Sequence, residues 1–192
     1  MAWQRWRLAQ ARRYIESGSI VAYPTEAVYG LGCNPFDREA VLRLLRIKQR
    51  PLALGLILIG ARFEHVAPFI DQDIDTGIDQ QTLTRIKRDW PGPRTWLLPA
   101  STLVPPWIRG AHATVALRVS AHPHAAALCE EVGGALVSTS ANIHGRPAAR
   151  SAQQLRLRLG AEIDFILPGS VGALTRPTPI RDAVSGEVIR PA

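Results

Sequence analysis

Cysteine is nearly absent. Cys33 and Cys129 are the two in 192 residues, and they match no metal-ligand spacing and form no disulfide framework. No apolar run approaches the length of a membrane span. The opening MAWQRWRLAQARRY is too charged for a signal peptide, so the sequence reads as cytoplasmic. GxxxxGK[ST] does not occur, which excludes a P-loop enzyme, and neither do GxGxxG, GxSxG or HExxH. There is no repeat, low-complexity stretch or evident linker. The length suits one α/β domain with a substantial core and is short for two.

Lysine is scarce as well: 21 of the 23 cationic residues are Arg, and the formal net charge is +7. A basic surface fits a polyanionic partner or substrate, such as a nucleotide or RNA, although high Arg usage in the genome would give the same excess. Arg captures phosphate and carboxylate in a planar, two-pronged manner that Lys cannot reproduce. Apolar residues at 46% and charged residues at 20% describe a globular chain. Fifteen Gly and fifteen Pro imply many turns, suiting a sheet with shaped loops better than a helical bundle.

Apolar periodicity predicts a helix from Trp3 to Glu16, with Trp3, Trp6, Leu8, Ala11 and Ile15 on its buried face. A short strand from Ser19 to Tyr23 should end at Pro24, because proline cannot continue a central ladder. Asp37 can cap a helix from Arg38 to about Lys48, with Val41, Leu44, Leu45 and Ile47 facing inward. Leu54–Gly60 is a continuous apolar run, as expected of a strand covered on both faces. Helical stretches follow at about Phe63–Ile70 and Ile78–Trp90. Further strands are expected at Thr95–Pro99, Thr114–Val119, Ala135–Ser138, Phe165–Leu167 and Glu187–Ile189, with helices at Pro123–Val132 and Ala152–Leu159. The fold class is therefore α/β: a single domain with an open, twisted, mixed sheet flanked by helices.

Polar clusters fall where expected strands stop, which is where ligands bind in open α/β sheets. They are PTE at Pro24–Glu26, KQRP at Lys48–Pro51, TVALR at Thr114–Arg118 and STSAN at Ser138–Asn142, with Thr178–Asp182 and Arg190 later in the chain. Taken alone, KQRP could simply cap a helix through its dipole. STSAN offers hydroxyls, an amide and backbone N–H groups that could wrap a phosphate or form an ordinary turn. Arg118 could be a solvated strand end. His122 and His124 read as helix-start residues rather than metal ligands, and the five Trp as packing residues.

The order and spacing of IVAYPTEAVYGLGC, LLRIKQRP, GLILIG, DWPGPRTWLLPA, TVALRV, LVSTSANIHGRP and PIRDAVSGEVIRP resemble the YrdC/TsaC family of threonylcarbamoyl-AMP synthases, from about Ile20 to Arg190. KQRP followed by GLILI, together with STSAN, is most similar to the short, single-domain TsaC branch, giving one YrdC-like domain over residues 1–192. The resemblance implies an enzyme, a nucleotidyltransferase, that joins L-threonine, bicarbonate and ATP into threonylcarbamoyl-AMP and pyrophosphate. Other proteins, threonylcarbamoyl transferases, would then modify the tRNA adenosine beside the anticodon. It implies that Lys48 and Arg50 lie along the ATP phosphates as the catalytic pair, and that Thr114, Ser140, Asn142 and Arg190 contact the nucleotide. Thr25, Arg118, Ser138 and Thr178 would hold threonine. Where the longer branch has Thr, Asn and His, this chain has Ala27, Leu54 and Ile59. Ala27 matches the short branch, whereas Leu54 matches neither the Asn of one nor the Lys usual in the other.

Displacement at phosphorus is catalysed mainly by positioning and by neutralising spread charge, so no covalent nucleophile is required. Mg²⁺ is expected with the phosphates, and no dedicated acidic cage for it is visible. Two other readings use the same features. One is a carbamoyl-adenylate-forming enzyme related to hydrogenase-maturation proteins, against which the lack of zinc-finger and acylphosphatase-like segments speaks. The other is a non-catalytic module binding RNA weakly through a basic face.

Overall fold

A computed structural model describes residues 2–71, 73 and 78–191, the first three of them by backbone alone. The described residues form nine strands and seven α-helices. The helices are α1 Ala2–Glu16, α2 Arg38–Lys48, α3 Phe63–Val66, α4 Gln80–Arg88, α5 Pro106–Arg109, α6 Pro123–Val132 and α7 Ala152–Leu159. The strands are β1 Val21–Pro24, β2 Tyr29–Gly32, β3 Ile57–Gly60, β4 Thr95–Pro99, β5 Thr114–Val119, β6 Leu136–Ser140, β7 Phe165–Ile166, β8 Ile180–Asp182 and β9 Val188–Arg190. They form one sheet in the order β7-β1-β2-β6-β3-β5-β4-β8-β9. Pairing is mixed: β1 with β7, β3 with β5 and β4 with β8 are parallel, and the other neighbours are antiparallel.

The sheet buries both faces. On one, α2, α4, α5 and α7 supply Leu44, Ile86, Ile108 and Leu155 to the larger core, where Leu58 of β3 and Val115, Leu117 and Val119 of β5 meet them. On the other, Ala11 and Ile15 of α1 and Ala125, Leu128 and Cys129 of α6 pack on Val21, Tyr23, Ile59 and Leu136. Leu58 and Ile59 thus enter opposite layers, which explains why the apolar run at β3 does not alternate.

Asp37 caps α2 as its sequence position suggests, its Oδ1 accepting from Ala40 N at 3.0 Å. β1 ends at Pro24. Several boundaries differ from expectation. Trp6 is 57% exposed, because the inner stripe of α1 runs through Leu8, Ala11 and Ile15; the Trp3 side chain lies outside the described residues. Leu54 does not begin β3 but closes a 3-10 turn, Leu52–Leu54, and is 47% exposed. The stretch Phe63–Ile70 divides into α3 and a 3-10 turn at Ala67–Phe69, and the next helix is shorter than Ile78–Trp90, being capped by Asp79. Strands β2 and β8 and helix α5 were not foreseen.

Candidate active site

Strict alternation along β5 builds the floor of the site. Val115, Leu117 and Val119 point into the larger core, so Thr114, Ala116 and Arg118 must line the opposite face, and all three border one cavity of about 540 Å³. Ile57 of β3 pairs with Ala116 on one side and with Ser138 of β6 on the other, while Leu97 of β4 extends the same row. The cavity therefore lies on the sheet face that α1 and α6 cover elsewhere, over the part those helices leave open.

The ten residues singled out in the sequence, Thr25, Lys48, Arg50, Thr114, Arg118, Ser138, Ser140, Asn142, Thr178 and Arg190, all border this cavity. They come from strand ends, a helix end and loops far apart in sequence. Motif reading passed over Arg109, His112, His144 and Arg146, which also border it. Arg109 and His112 stand just before the TVALRV segment, and His144 and Arg146 lie inside LVSTSANIHGRP but after STSAN, where no polar cluster marks them. Six Lys or Arg side chains and no Asp or Glu line the wall among the described residues. With no carboxylate facing the cavity, such a wall favours a polyanion.

Lys48 is the last residue of α2. Gln49 follows in the left-handed conformation, at φ 50°, and this turn brings both Lys48 and Arg50 to the wall. Lys48 is 3% exposed, and its ammonium donates to Ser140 O at 2.5 Å, Asn142 O at 2.9 Å and Asn142 Oδ1 at 3.2 Å. Its three hydrogens thus fasten the STSAN loop from below. Burial, followed by repulsion from Arg50, pushes its pKa down to about 8. The loop is braced further: Ser140 Oγ donates to Asn142 Oδ1 at 2.6 Å, and Asn142 Nδ2 to Arg146 O at 2.6 Å. Arg50 bonds the carbonyls of Leu54 and Gly55. These bonds hold it where α2 meets the 3-10 turn bearing the exposed Leu54.

Other groups bordering the cavity are buried. Arg118 is no solvated strand end: it is 6% exposed, and its Nη1 donates to Thr178 Oγ1 at 2.8 Å. Arg190 Nη2 donates to Thr178 O at 2.7 Å, tying the last strand to the same point. Ser138 and Thr25 are buried beside this group, Thr25 Oγ1 donating to Val28 O at 2.7 Å. His122 stands at the N-cap of α6 and His124 in its first turn. No group of three or more His, Cys, Asp or Glu that could hold a metal occurs among the described residues.

A buried guanidinium beside hydroxyls, on a wall of cations, has the donor chemistry to accept a carboxylate or a phosphate. The Sua5/YciO/YrdC family model, described as telomere recombination, matches residues 13–192. The chain belongs to this family. A threonylcarbamoyl-AMP synthase of Alkalilimnicola ehrlichii is 54% identical over 97% of this chain and 96% of its own length. Among solved structures, Sua5 of P. abyssi complexed with L-threonine superposes with a TM-score of 0.83 at 36% identity, covering 92% of this chain and 51% of that one. The chain thus spans about half the length of that Sua5. YciO of E. coli gives a TM-score of 0.83 at 28% identity over 97% of this chain and 89% of its own.

Proposed function

We propose that this family member is a threonylcarbamoyl-AMP synthase, its one domain over residues 1–192 making threonylcarbamoyl-AMP and pyrophosphate from L-threonine, bicarbonate and ATP. What supports the reading is the single cavity in which a buried Arg118–Thr178 pair adjoins a wall of cations without carboxylates. Threonine's amine combines with bicarbonate, losing water, to give a carbamate. A carbamate oxygen then bonds the α-phosphorus of ATP, and the bond to the β-phosphate oxygen breaks as pyrophosphate leaves.

In this reading Arg118 takes the amino-acid carboxylate bidentately, and Ser138, Thr178 and Thr25 receive its amine and hydroxyl. Arg50, Arg190 and Thr114 face the nucleotide. Lys48 acts at the phosphates and through the loop it fastens, presenting Ser140 and Asn142. Neutralising the charge that spreads over the phosphates is the larger part of catalysis for such a displacement. Among the described residues no carboxylate stands on the wall to ligate Mg²⁺. The ion would arrive on the ATP phosphates, as magnesium commonly does. The product would pass to threonylcarbamoyl transferase proteins acting on tRNA. No described helix is long and apolar enough to cross a membrane, which fits a cytoplasmic site of action.

Pyrophosphate release tests the assignment against its alternatives. Expected is release with ATP, bicarbonate and threonine together, lost when any one is omitted. Release with carbamoyl phosphate instead would move the chain to carbamoyl-adenylate formation, and no release at all, with RNA bound, would make it a binding module.

A further inference from the structure

Behind Arg118 lies a carboxylate outside the cavity wall. Glu26 stands in the turn between β1 and β2 and is 8% exposed. Its Oε2 lies 3.4 Å from Arg118 Nη2, and its Oε1 accepts from Ser120 Oγ at 2.7 Å. Ser120 follows Arg118 by two residues, on the same side of the strand line, and its Oγ also accepts from His122 N at 3.2 Å. The same turn anchors the segment leading to Thr178: Gly172 N donates to Thr25 O at 2.9 Å and Leu174 N to Glu26 O at 3.1 Å. A Cβ on Gly172 would meet Glu26 O at 2.6 Å, so this approach is close.

We propose that Glu26 is a positioning residue for amino-acid recognition: it fixes the Arg118 guanidinium so that a carboxylate entering the cavity meets a preset two-pronged donor. This rests on the reading of Arg118 given above. A guanidinium carries five N–H donors, two on each Nη. Thr178 takes one on Nη1, while Glu26 Oε2 holds Nη2 as an ion pair rather than a hydrogen bond, so each arm keeps a hydrogen to donate. One from each arm suffices for the two oxygens of a carboxylate. An unrestrained Arg gives up much rotamer freedom on binding, and one already fixed gives up less. Glu26 also supplies the counter-charge without which a guanidinium buried this deeply would be costly to keep in place. Ser120 ties the far oxygen of Glu26 back into the protein, so the carboxylate stays behind Arg118 and out of the cavity. Burial would raise the Glu26 carboxyl, but Arg118, Ser120 and the turn's own backbone outweigh it and hold it below its ordinary range.

The test is steady-state kinetics and thermal melting of Glu26→Gln, which keeps the shape and removes the charge, beside Glu26→Asp and Arg118→Ala. For Glu26→Gln the KM for threonine should rise at least about tenfold, as loss of one partner of a buried charge pair implies. The KM for ATP should stay within about twofold and kcat within about threefold, because the interaction belongs to binding rather than to the transition state. Glu26→Asp should recover part of the threonine KM. A lower melting temperature with both KM values unchanged would overturn the proposal by making Glu26 a merely structural residue. Should Glu26→Gln fail to fold, Ser120→Ala asks the same question by freeing Oε1: a severalfold rise in threonine KM is expected, and none overturns the proposal. If Arg118→Ala raises the threonine KM and Glu26→Gln does not, only the positioning role is lost. If Arg118→Ala leaves that KM unchanged, the reading of Arg118 itself fails.

Discussion

Threonine and valine have nearly the same shape, so an apolar pocket that merely tolerates a hydroxyl separates them by about a hundredfold at most. A site that hydrogen-bonds the hydroxyl leaves its own groups unpaired when valine enters, and discriminates far more strongly. Ser138 and Thr178, both buried at the Arg118 end, provide such groups. Threonine should therefore be strongly preferred to valine, with serine intermediate. Ser138→Ala should harm threonine more than valine, whereas Thr178→Val, which removes the acceptor of Arg118, should weaken the use of every amino acid. Rates with the three amino acids decide this, and equal use of threonine and valine by the wild type would refute hydroxyl recognition. Lys48 gives a pH signature. Its pKa of about 8 means that the ammonium fastening residues 140 and 142 is lost above that pH, so kcat/KM for ATP, which reports groups of the free enzyme, should fall there. Because this pKa lies below the ordinary lysine value, the unfolded chain holds the proton more tightly between about 8 and 10.5, and the contribution of this group to stability rises with pH over that window. Activity should thus decline without unfolding, and Lys48→Arg should remove the decline. A profile flat to pH 10 would dissociate Lys48 from the nucleotide site.

At the scale of elements, legibility followed pattern strength. β5 was readable because six residues alternate without interruption, and the same alternation put Thr114 and Arg118 on the ligand face. α2 was readable from its cap and its apolar stripe. β2 was not, since Tyr-Gly-Leu-Gly is short, half glycine and buried at every position. Its Gly32 is required by a neighbour rather than by any local pattern, since a Cβ there would collide with Val137 O. β8, three residues lying between β4 and the edge strand β9, falls below the length at which periodicity speaks. Leu54 was drawn into the β3 run by hydrophobicity alone, and the turn after Pro51 places it at the cavity rim instead. α2 carries Lys48 at its end, so its cap matters for the site. Asp37→Ala should cost about 1 kcal/mol, lowering Tm by roughly 2–4 °C for a chain of this size. An unchanged melting curve would show that the cap contributes nothing.

For the molecule as a whole, the fold class followed from periodicity, but the site did not follow from any one segment. Its residues meet only because the strand order places β2, β6, β3, β5, β4, β8 and β9 side by side, an order that local sequence does not encode. The sequence of motifs carried that information instead. The net charge of +7 should give weak binding to tRNA that falls steeply as salt rises, with little sequence preference. Titration of labelled tRNA at two salt concentrations checks this, and salt-insensitive binding would contradict it. The central assignment is tested most directly by the nucleotide product itself. The protein is incubated with ATP, threonine and isotopically labelled bicarbonate, and the products are resolved by mass spectrometry. Expected is an AMP ester containing threonine and one labelled carbon, formed in step with pyrophosphate. Pyrophosphate released with no nucleotide carrying both threonine and the label would contradict the assignment.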